Sequence, residues 1–559
     1  MRLVLSKLAL IPHRLFAMAI NRFPPHFTFA DHRDRCLEQL RSKCAPIEKY
    51  IYLNGLKDRD SNLFYDLLLG NMKEMVPILY TPTVGEACVN YSHIWRRPEG
   101  LYVSIEDKGH IRDVLSTWPT TLDSRIAVVT DGSRILGLGD LGANGLPISI
   151  GKLDLYIAGA GIKPSSTVPI CLDLGTNTQR YLDDPLYIGI RRKRPSPEEM
   201  DEFMDEFIQA MKDVFPDLLV QFEDFSTDNA FKYLDRYRNK YRVFNDDIQG
   251  TGSVILSGFI NAANLSSATS GKPLADHRIL FFGAGSAGIG VAKQLLSFFT
   301  MHGLSPEEAK SRIWTVDSKG LITAGRKGLQ EHKKFFARTD YEGPALTNLV
   351  DIINYVKPTA LLGLSTLKVT ILPTLSCHQL IMSQNAFTEE VVKAMAAINE
   401  RPIIFPLSNP VHLSEVDYHD AIEWTDGKVI FASGSPYFPV THKGVTYEPG
   451  QGNNMYIFPG LGLGAILSKS RHVSDAMVEQ ASIALASSLT EEEKAAQLVY
   501  PRLNRIRDIS AQVALAVIRQ AQREDLDTNG YLRTLPDDTL LALIRDKMWQ
   551  PPSVSASRL

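Results

Sequence analysis

At 559 residues the chain is longer than one hydrophobic core supports, so it is expected to divide into two to four domains. With 44% hydrophobic and 22% charged residues the composition is that of an ordinary globular protein, and a net charge of −3 gives no reason to expect nucleic acid or an anionic membrane as partner. No apolar run reaches the roughly 18–20 residues that span a bilayer. The five cysteines, Cys36, Cys44, Cys88, Cys171 and Cys377, show neither CxxC nor metal-finger spacing and read as reduced thiols of an intracellular protein.

The first thirty residues hold Arg2, Lys7, Arg14 and Arg22 and no acid before Asp31. Basic, acid-poor and apolar, they resemble a mitochondrial import segment, although Pro12 interrupts a continuous presequence helix. The mitochondrial matrix and the cytoplasm both stay open. From Arg33 to Asn71 apolar residues recur at helix-face spacing (Cys36, Leu37, Leu40, Cys44, then Tyr50, Leu53, Leu56), which predicts a helical front end. From Leu101 onward the short runs LYVSI, RIAVVTDG, TVPICLDLG and LLVQFEDF each end in a polar or Gly-containing turn and read as parallel strands. GFINAANLSS predicts a helix, HRILFFGAGSAGIGVAKQLLSFF opens a new strand–helix unit, and RIWTVDSKG, ALLGLS, PIIFPLSNP and KVIFASGSP continue it. The chain from Ser474 reads as helical and its last residues, PPSVSASRL, as loose. The predicted class is α/β: a helical N-terminal portion, an α/β substrate domain, a Rossmann-like NAD(P)-binding domain and a helical C-terminal tail. Boundaries are expected at 1–258, 259–515 and 516–559.

In ILFFGAGSAGIG, Gly283, Gly285 and Gly288, with Ser286 among them, stand between an apolar run and a helix. A Cβ there would keep the backbone from a pyrophosphate, which the free N–H groups of the helix then bind. The acid for the ribose is Asp317, at the end of the next strand, though farther along than the usual ~20 residues. An Asp alone favours a free 2′-hydroxyl, whereas the adjacent Ser318 and Lys319 could accommodate a 2′-phosphate, so NAD and NADP both stay open.

Two acidic doublets, Glu223–Asp224 and Asp246–Asp247, follow apolar runs and are expected at strand ends, where α/β domains build their sites. Hard oxygen donors of this kind suit Mg²⁺ or Mn²⁺. Lys152 lies among apolar residues, where burial could lower its pKa toward that of a general base. Tyr80 and Arg134 are further candidates, the Arg as a bidentate carboxylate clamp. Composition and spacing assign none of these roles.

YTPTVG, RRPEGLYVSI, VVTDGSRILGLGDLG, IGKLDLY, QFEDF, FNDDIQGT, SNP, FASGSP and PGQGNNMYIFPG occur in this order, and together they resemble the malic enzymes of eukaryotic type. The resemblance runs from about Arg33 to about Trp549. It implies oxidative decarboxylation of (S)-malate to pyruvate and CO₂ with reduction of NAD or NADP. It also implies a role for each matching residue: Glu223, Asp224 and Asp247 as ligands of Mg²⁺ or Mn²⁺, Lys152 as general base, and Tyr80 as general acid. Arg134, Asn409, Asn453 and Asn454 are then expected to line the substrate, and Ser318, Lys319 and Lys334 to surround a 2′-phosphate, which favours NADP. Homodimers or homotetramers are the implied assembly.

One stretch departs from that pattern. Between ALLGLST and NAFTEE the family's short Gly-rich turn is replaced by roughly nineteen residues, Leu367 to Asn385, neutral and rich in Ser, Thr, Leu and Ile. We read them as translated non-coding sequence, such as a retained short intron. If the segment is in the protein, an impaired protein with weakened dinucleotide binding is expected. A separate rival reading is a metal-independent 2-hydroxy-acid dehydrogenase, against which the two acidic doublets speak.

Overall fold

Most runs predicted as strands are buried along their length, as parallel strands covered on both faces should be, while the edge strand LYVS is mostly half-buried. In the computed structural model, which describes residues 29–364, 386–408 and 411–552, they build two separate sheets. The import reading of the first residues, Asn409 and the Leu367–Asn385 stretch fall outside the described residues.

Residues up to Leu79, with the chain end from Gln550, form one unit, and Tyr80–Trp549 forms another. The described part of the first unit carries the predicted helical front end as the helices Phe29–Arg41, Pro46–Arg59, Ser61–Gly70 and Met72–Leu79.

The second unit begins with a five-stranded parallel sheet: β1 (Leu101–Ser104), β2 (Ile126–Thr130), β3 (Thr167–Asp173), β4 (Leu219–Phe222) and β5 (Val243–Asn245), in the order β1-β3-β2-β4-β5. Because β2 lies between β3 and β4, the strand order reverses beside it. Ligands of open α/β sheets sit at the carboxyl ends of strands at such a reversal. The helix Leu146–Ala160 is buried at every residue and mostly apolar, as a helix covered on all sides must be, with Lys152 and Asp154 its buried charged residues. It packs on β2 and β3 and against the helices Phe458–Ser468 and Ile506–Arg523.

The second sheet holds β6 (Ile279–Phe282), β7 (Ile313–Asp317), β8 (Gly320–Leu321), β9 (Ala360–Gly363), β10 (Ile403–Pro406), β11 (Ile430–Ser433) and, after the hairpin β12 (Val440–His442) and β13 (Val445–Tyr447), β14 (Gly450–Gln451). Its order is β14-β11-β10-β9-β6-β7-β8, parallel except for β8. The hairpin, β8 and β14 are too short to show in the sequence pattern. The order reverses at β6, next to β9, so the glycine loop after β6 opens at this sheet's own reversal point. Thr388 occupies the N-cap of the helix Glu389–Ile398, with Glu389 and Glu390 in the first turn, but its side chain makes no capping hydrogen bond.

His277, just before β6, is fully buried and makes polar contacts of 2.9 Å at both ring nitrogens, with Ser267 and Thr359. Burial lowers its pKa from 6.5 to about 4. The unfolded chain therefore binds a proton that the folded one refuses, and stability is lost as pH falls from 6.5 toward 4. At 1.36 kcal/mol per pH unit the loss reaches at most about 3 kcal/mol. Urea midpoints at pH 7 and pH 5 are expected to show this loss, and His277→Gln is expected to flatten it.

Candidate active site

The loops after β2, β4 and β5 and one turn of the helix Leu146–Ala160 converge at the carboxyl edge of the first sheet. Glu223 and Asp224 follow β4, with Asp224 held in the left-handed region (φ 56). Asp246 and Asp247 follow β5 in a π-helical turn, Asp246–Gly250, that feeds the helix Thr251–Ser270. Turns of this kind are frequent at functional sites.

Lys152 has 2% of its side chain exposed; its Nζ lies 2.5 Å from Asp246 Oδ2 and 3.1 Å from Glu223 Oε1. The ammonium also stands over the rings of Phe458 (4.5 Å) and Tyr80 (5.1 Å). The Tyr80 hydroxyl donates to Glu223 Oε1 at 3.1 Å. Burial and the neighbouring Glu223 carboxylate push its pKa well above the ordinary value, so it stays protonated. The expectation that burial leaves Lys152 with a lowered pKa is corrected here. Burial does pull it down, but the Asp246 and Glu223 carboxylates outweigh burial, and the net direction is upward. Spacing could not show this, because the two acids come from other strands.

Glu223, Asp224 and Asp247 bring ligand oxygens within 4.8 Å of one another. The Asp224 N–H donates to Asp247 Oδ2 at 2.8 Å, and the Leu136 N–H donates to Asp224 Oδ2 at 3.1 Å. Burial and mutual repulsion raise all three carboxyls above their usual range. Two buried acids and one half-buried one, with hard oxygen donors and no His or Cys among them, fit Mg²⁺ or Mn²⁺, whose charge would offset that repulsion.

Arg134 stands beside this cluster, its Nη1 donating to Thr227 Oγ1 at 2.9 Å, and its charge acts on Asp224 and Asp247. Asn454 Nδ2 donates to Asp246 Oδ2 and to Thr251 Oγ1, both at 3.0 Å. Asn453 uses its own Oδ1 to accept from the Met455 N–H at 2.9 Å. A cavity of about 180 Å³ is lined by Tyr80, Lys152, Glu223, Asp247, Asn453 and Asn454, among others. It is smaller than the roughly 300–1,000 Å³ of drug-sized sites and suits a small acid.

Leu364, which follows β9, also lines that cavity, and a Cβ placed on Gly288 would stand 3.9 Å from its side chain. The glycine loop therefore backs onto this cavity. Gly283 has φ 112, a conformation side chains rarely adopt, and a Cβ on Gly288 would meet the Gly283 carbonyl at 2.3 Å. A Cβ on Gly285 would meet nothing within 4 Å, so open space lies over the start of the helix Ser286–Gln294. Such an opening at a helix N-terminus suits a pyrophosphate.

At the end of β7, Asp317 pairs with Arg326 and with Lys333 (2.8 Å) and accepts from the Lys319 N–H at 2.9 Å. Burial opposes its charge, but these partners more than offset it and hold the carboxyl below its usual range. Ser318 and Lys319 are exposed beside it. Lys334 points elsewhere, to Glu331 at 2.5 Å, and Lys333 takes the place beside Asp317.

Sequence reasoning missed three supports. Asp246 was noticed only as half of a doublet. Gln221 donates to Glu223 Oε2 at 2.8 Å and accepts from the Tyr156 hydroxyl at 2.5 Å, which locks the carboxylate in place. A Gln inside the apolar run LLVQF was the available signal.

Two family models match the chain: the malic enzyme N-terminal domain over residues 57–238 and the malic enzyme NAD-binding domain over 248–522. An NADP-dependent malic enzyme of Dictyostelium discoideum is 47% identical over 522 residues, covering 93% of this chain and 91% of that protein. NADP-dependent malic enzyme 2 of Arabidopsis thaliana is 45% identical, covering 94% and 86%. Among solved structures, the malic enzyme of Entamoeba histolytica superposes with a TM-score of 0.55 at 25% identity, covering 84% of this chain and 80% of that one. Matches over most of the chain, on a fold that gathers these carboxylates beside a dinucleotide loop, lead to one conclusion: the chain belongs to the malic enzyme family.

Proposed function

We propose that this protein oxidatively decarboxylates (S)-malate to pyruvate and CO₂ with reduction of NADP, in the presence of Mg²⁺ or Mn²⁺. The observation that carries the reading is the buried chain Tyr80–Glu223–Lys152–Asp246, whose Glu223 clusters with Asp224 and Asp247 and whose Tyr80, Lys152 and Glu223 line a small cavity with Asp247. Glu223, Asp224 and Asp247 would hold the cation, which would supply Lewis-acid polarisation, and the dinucleotide would supply the hydride acceptor for C2. Arg134, Asn453 and Asn454, with Asn409, orient the malate carboxylates. Lys152 must shed a proton before it serves as base, and Asp246, in hydrogen-bond contact, is the acceptor at hand. Neutral Lys152 then takes the C2 hydroxyl proton as C2 is oxidised. Loss of CO₂ breaks the C3–C4 bond, and Tyr80, kept protonated by burial, gives its proton to C3.

Gly283, Gly285, Ser286 and Gly288 receive the pyrophosphate. The support for NADP is the pair of cations on Asp317, which cancels the charge that would repel a 2′-phosphate, together with the names of the two relatives. Arg326 and Lys333 join Ser318, Lys319 and Lys334 as candidates around that phosphate. Arg326→Gln with Lys333→Gln is expected to raise the KM for NADP by roughly 10–100-fold, as loss of charge-assisted hydrogen bonds implies. The KM for NAD should move far less; equal change in both would remove these cations from the specificity site.

The division into 1–258, 259–515 and 516–559 belongs to the same reading, supported by one sheet on either side of residue 258. So do assembly as a homodimer or homotetramer and residence in the mitochondrial matrix or the cytoplasm, the former compartment supported by the basic first thirty residues. No helix among the described residues is long and apolar enough to cross a membrane. Purified protein assayed with malate, Mn²⁺ and either NADP or NAD, with CO₂ trapped, tests the activity. Malate oxidation that survives EDTA and releases no CO₂ would overturn it.

A further inference from the structure

A larger cavity, of about 600 Å³, lies at the amino ends of β10 and β11, the opposite end of these strands from the catalytic cavity. Arg401 stands two residues before β10 and Lys428 two residues before β11. The parallel register, Ile403 beside Ile430, sets these two cations next to each other in the cavity wall. Arg401 Nε reaches the Lys428 carbonyl at 3.5 Å, which ties the two approaches together. Among the described residues, neither Arg401 nor Lys428 is ion-paired to a carboxylate. The acid in the lining, Glu448, is already held by Arg502 through contacts of 2.8 and 3.3 Å.

Arg401 is half-buried, and burial draws its guanidinium below its ordinary value, with the Tyr447 phenol the only opposing influence. Tyr447 leans over Gly427, where a Cβ would stand 2.2 Å from the hydroxyl, so Gly427 keeps room for the phenol in the wall. A partly desolvated cation without a counter-charge is costly, and a bound anion would relieve that cost.

The same wall touches the catalytic cavity through the chain itself. Gly450 borders the large cavity, and Gly452, Asn453 and Asn454 border the catalytic one. The helix Thr251–Ser270 likewise offers Thr251 to the catalytic cavity and Thr269 to the large one.

We propose that this cavity is a second ligand site for a small multivalent anion, phosphate or carboxylate in kind, whose occupancy alters malate binding through the segment Gly450–Asn454. The binding claim stands apart from the proposed reaction; only the effect on KM rests on it. The test is calorimetric titration of the full-length protein, metal-free and saturated with NADP so that the dinucleotide loop is filled, with inorganic phosphate in one arm and citrate in the other. At least one probe is expected to bind once per chain and to bind at least tenfold more weakly to Arg401→Gln and to Lys428→Gln. The arm that binds identifies the source of the anion. Lys428 is exposed, so its variant reports even where Arg401→Gln does not fold. Binding of neither probe, or equal binding by the parent and Lys428→Gln, overturns the site. The binding probe is also expected to shift the KM for malate at least twofold in the parent and not in Lys428→Gln; an unshifted KM overturns the coupling.

Discussion

Lys152→Met is expected to lower turnover by roughly 10²–10⁴-fold, the range for a positioned acid–base group, with a smaller effect on the KM for malate. The same change leaves Asp246 and Glu223 buried without their ammonium, at 2.5 and 3.1 Å from where it stood. Removing one partner from a buried pair costs about 3–5 kcal/mol, so a fall in thermal midpoint should accompany the loss of rate. Lys152→Arg separates the two effects. It keeps a positive charge against both carboxylates, but a guanidinium does not give up its proton in a protein. If Lys152 is the base, the Arg variant recovers stability and stays inactive. Turnover within tenfold of the parent would instead make Lys152 a counter-charge only.

Most of the second unit was legible because its strands are buried on both faces and therefore read as unbroken apolar runs. β2 (IAVVT) and β6 (ILFF) are examples, each closed by a turn that carries a candidate residue. The short pieces were not legible. β8, β14 and the hairpin of β12 and β13 have only two or three residues per strand, too few for a period to show. The same limit applies to the site. Glu223, Asp224 and Asp247 announce themselves as acids after apolar runs, yet the sign of the Lys152 displacement depends on Asp246, ninety-four residues away. Likewise Lys333 and Lys334 are indistinguishable on paper. Only the turn of the short helix Glu331–Lys334 decides which of them meets Asp317.

Asp247→Asn is expected to weaken Mn²⁺ activation by more than about 100-fold, since losing even an outer partner of a metal ligand costs 10–100-fold. Its effect on stability should have the opposite sign when metal is removed. Glu223, Asp224 and Asp247 are pushed above the ordinary carboxyl range by burial and by one another. The folded, EDTA-treated protein therefore keeps protons that the unfolded chain has released, and its stability falls as pH rises above that range. Below about pH 7.5 the unfolded chain still protonates His277 and opposes this slope, so both proteins are compared in a His277→Gln background. Removing one of the three like charges relieves the repulsion, so in EDTA the Asp247→Asn variant should match or exceed the parent and vary less with pH. Adding Mn²⁺ should raise the parent's midpoint and leave the variant's nearly unchanged, because ions that bind the folded state alone stabilise it in proportion to their affinity. Scanning both proteins with EDTA and with Mn²⁺ at pH 6.5 and pH 8 reads all four values. A parent whose midpoint rises with pH in EDTA would show that the three carboxylates are not electrostatically opposed, and the case for a cation between them would lose its physical basis.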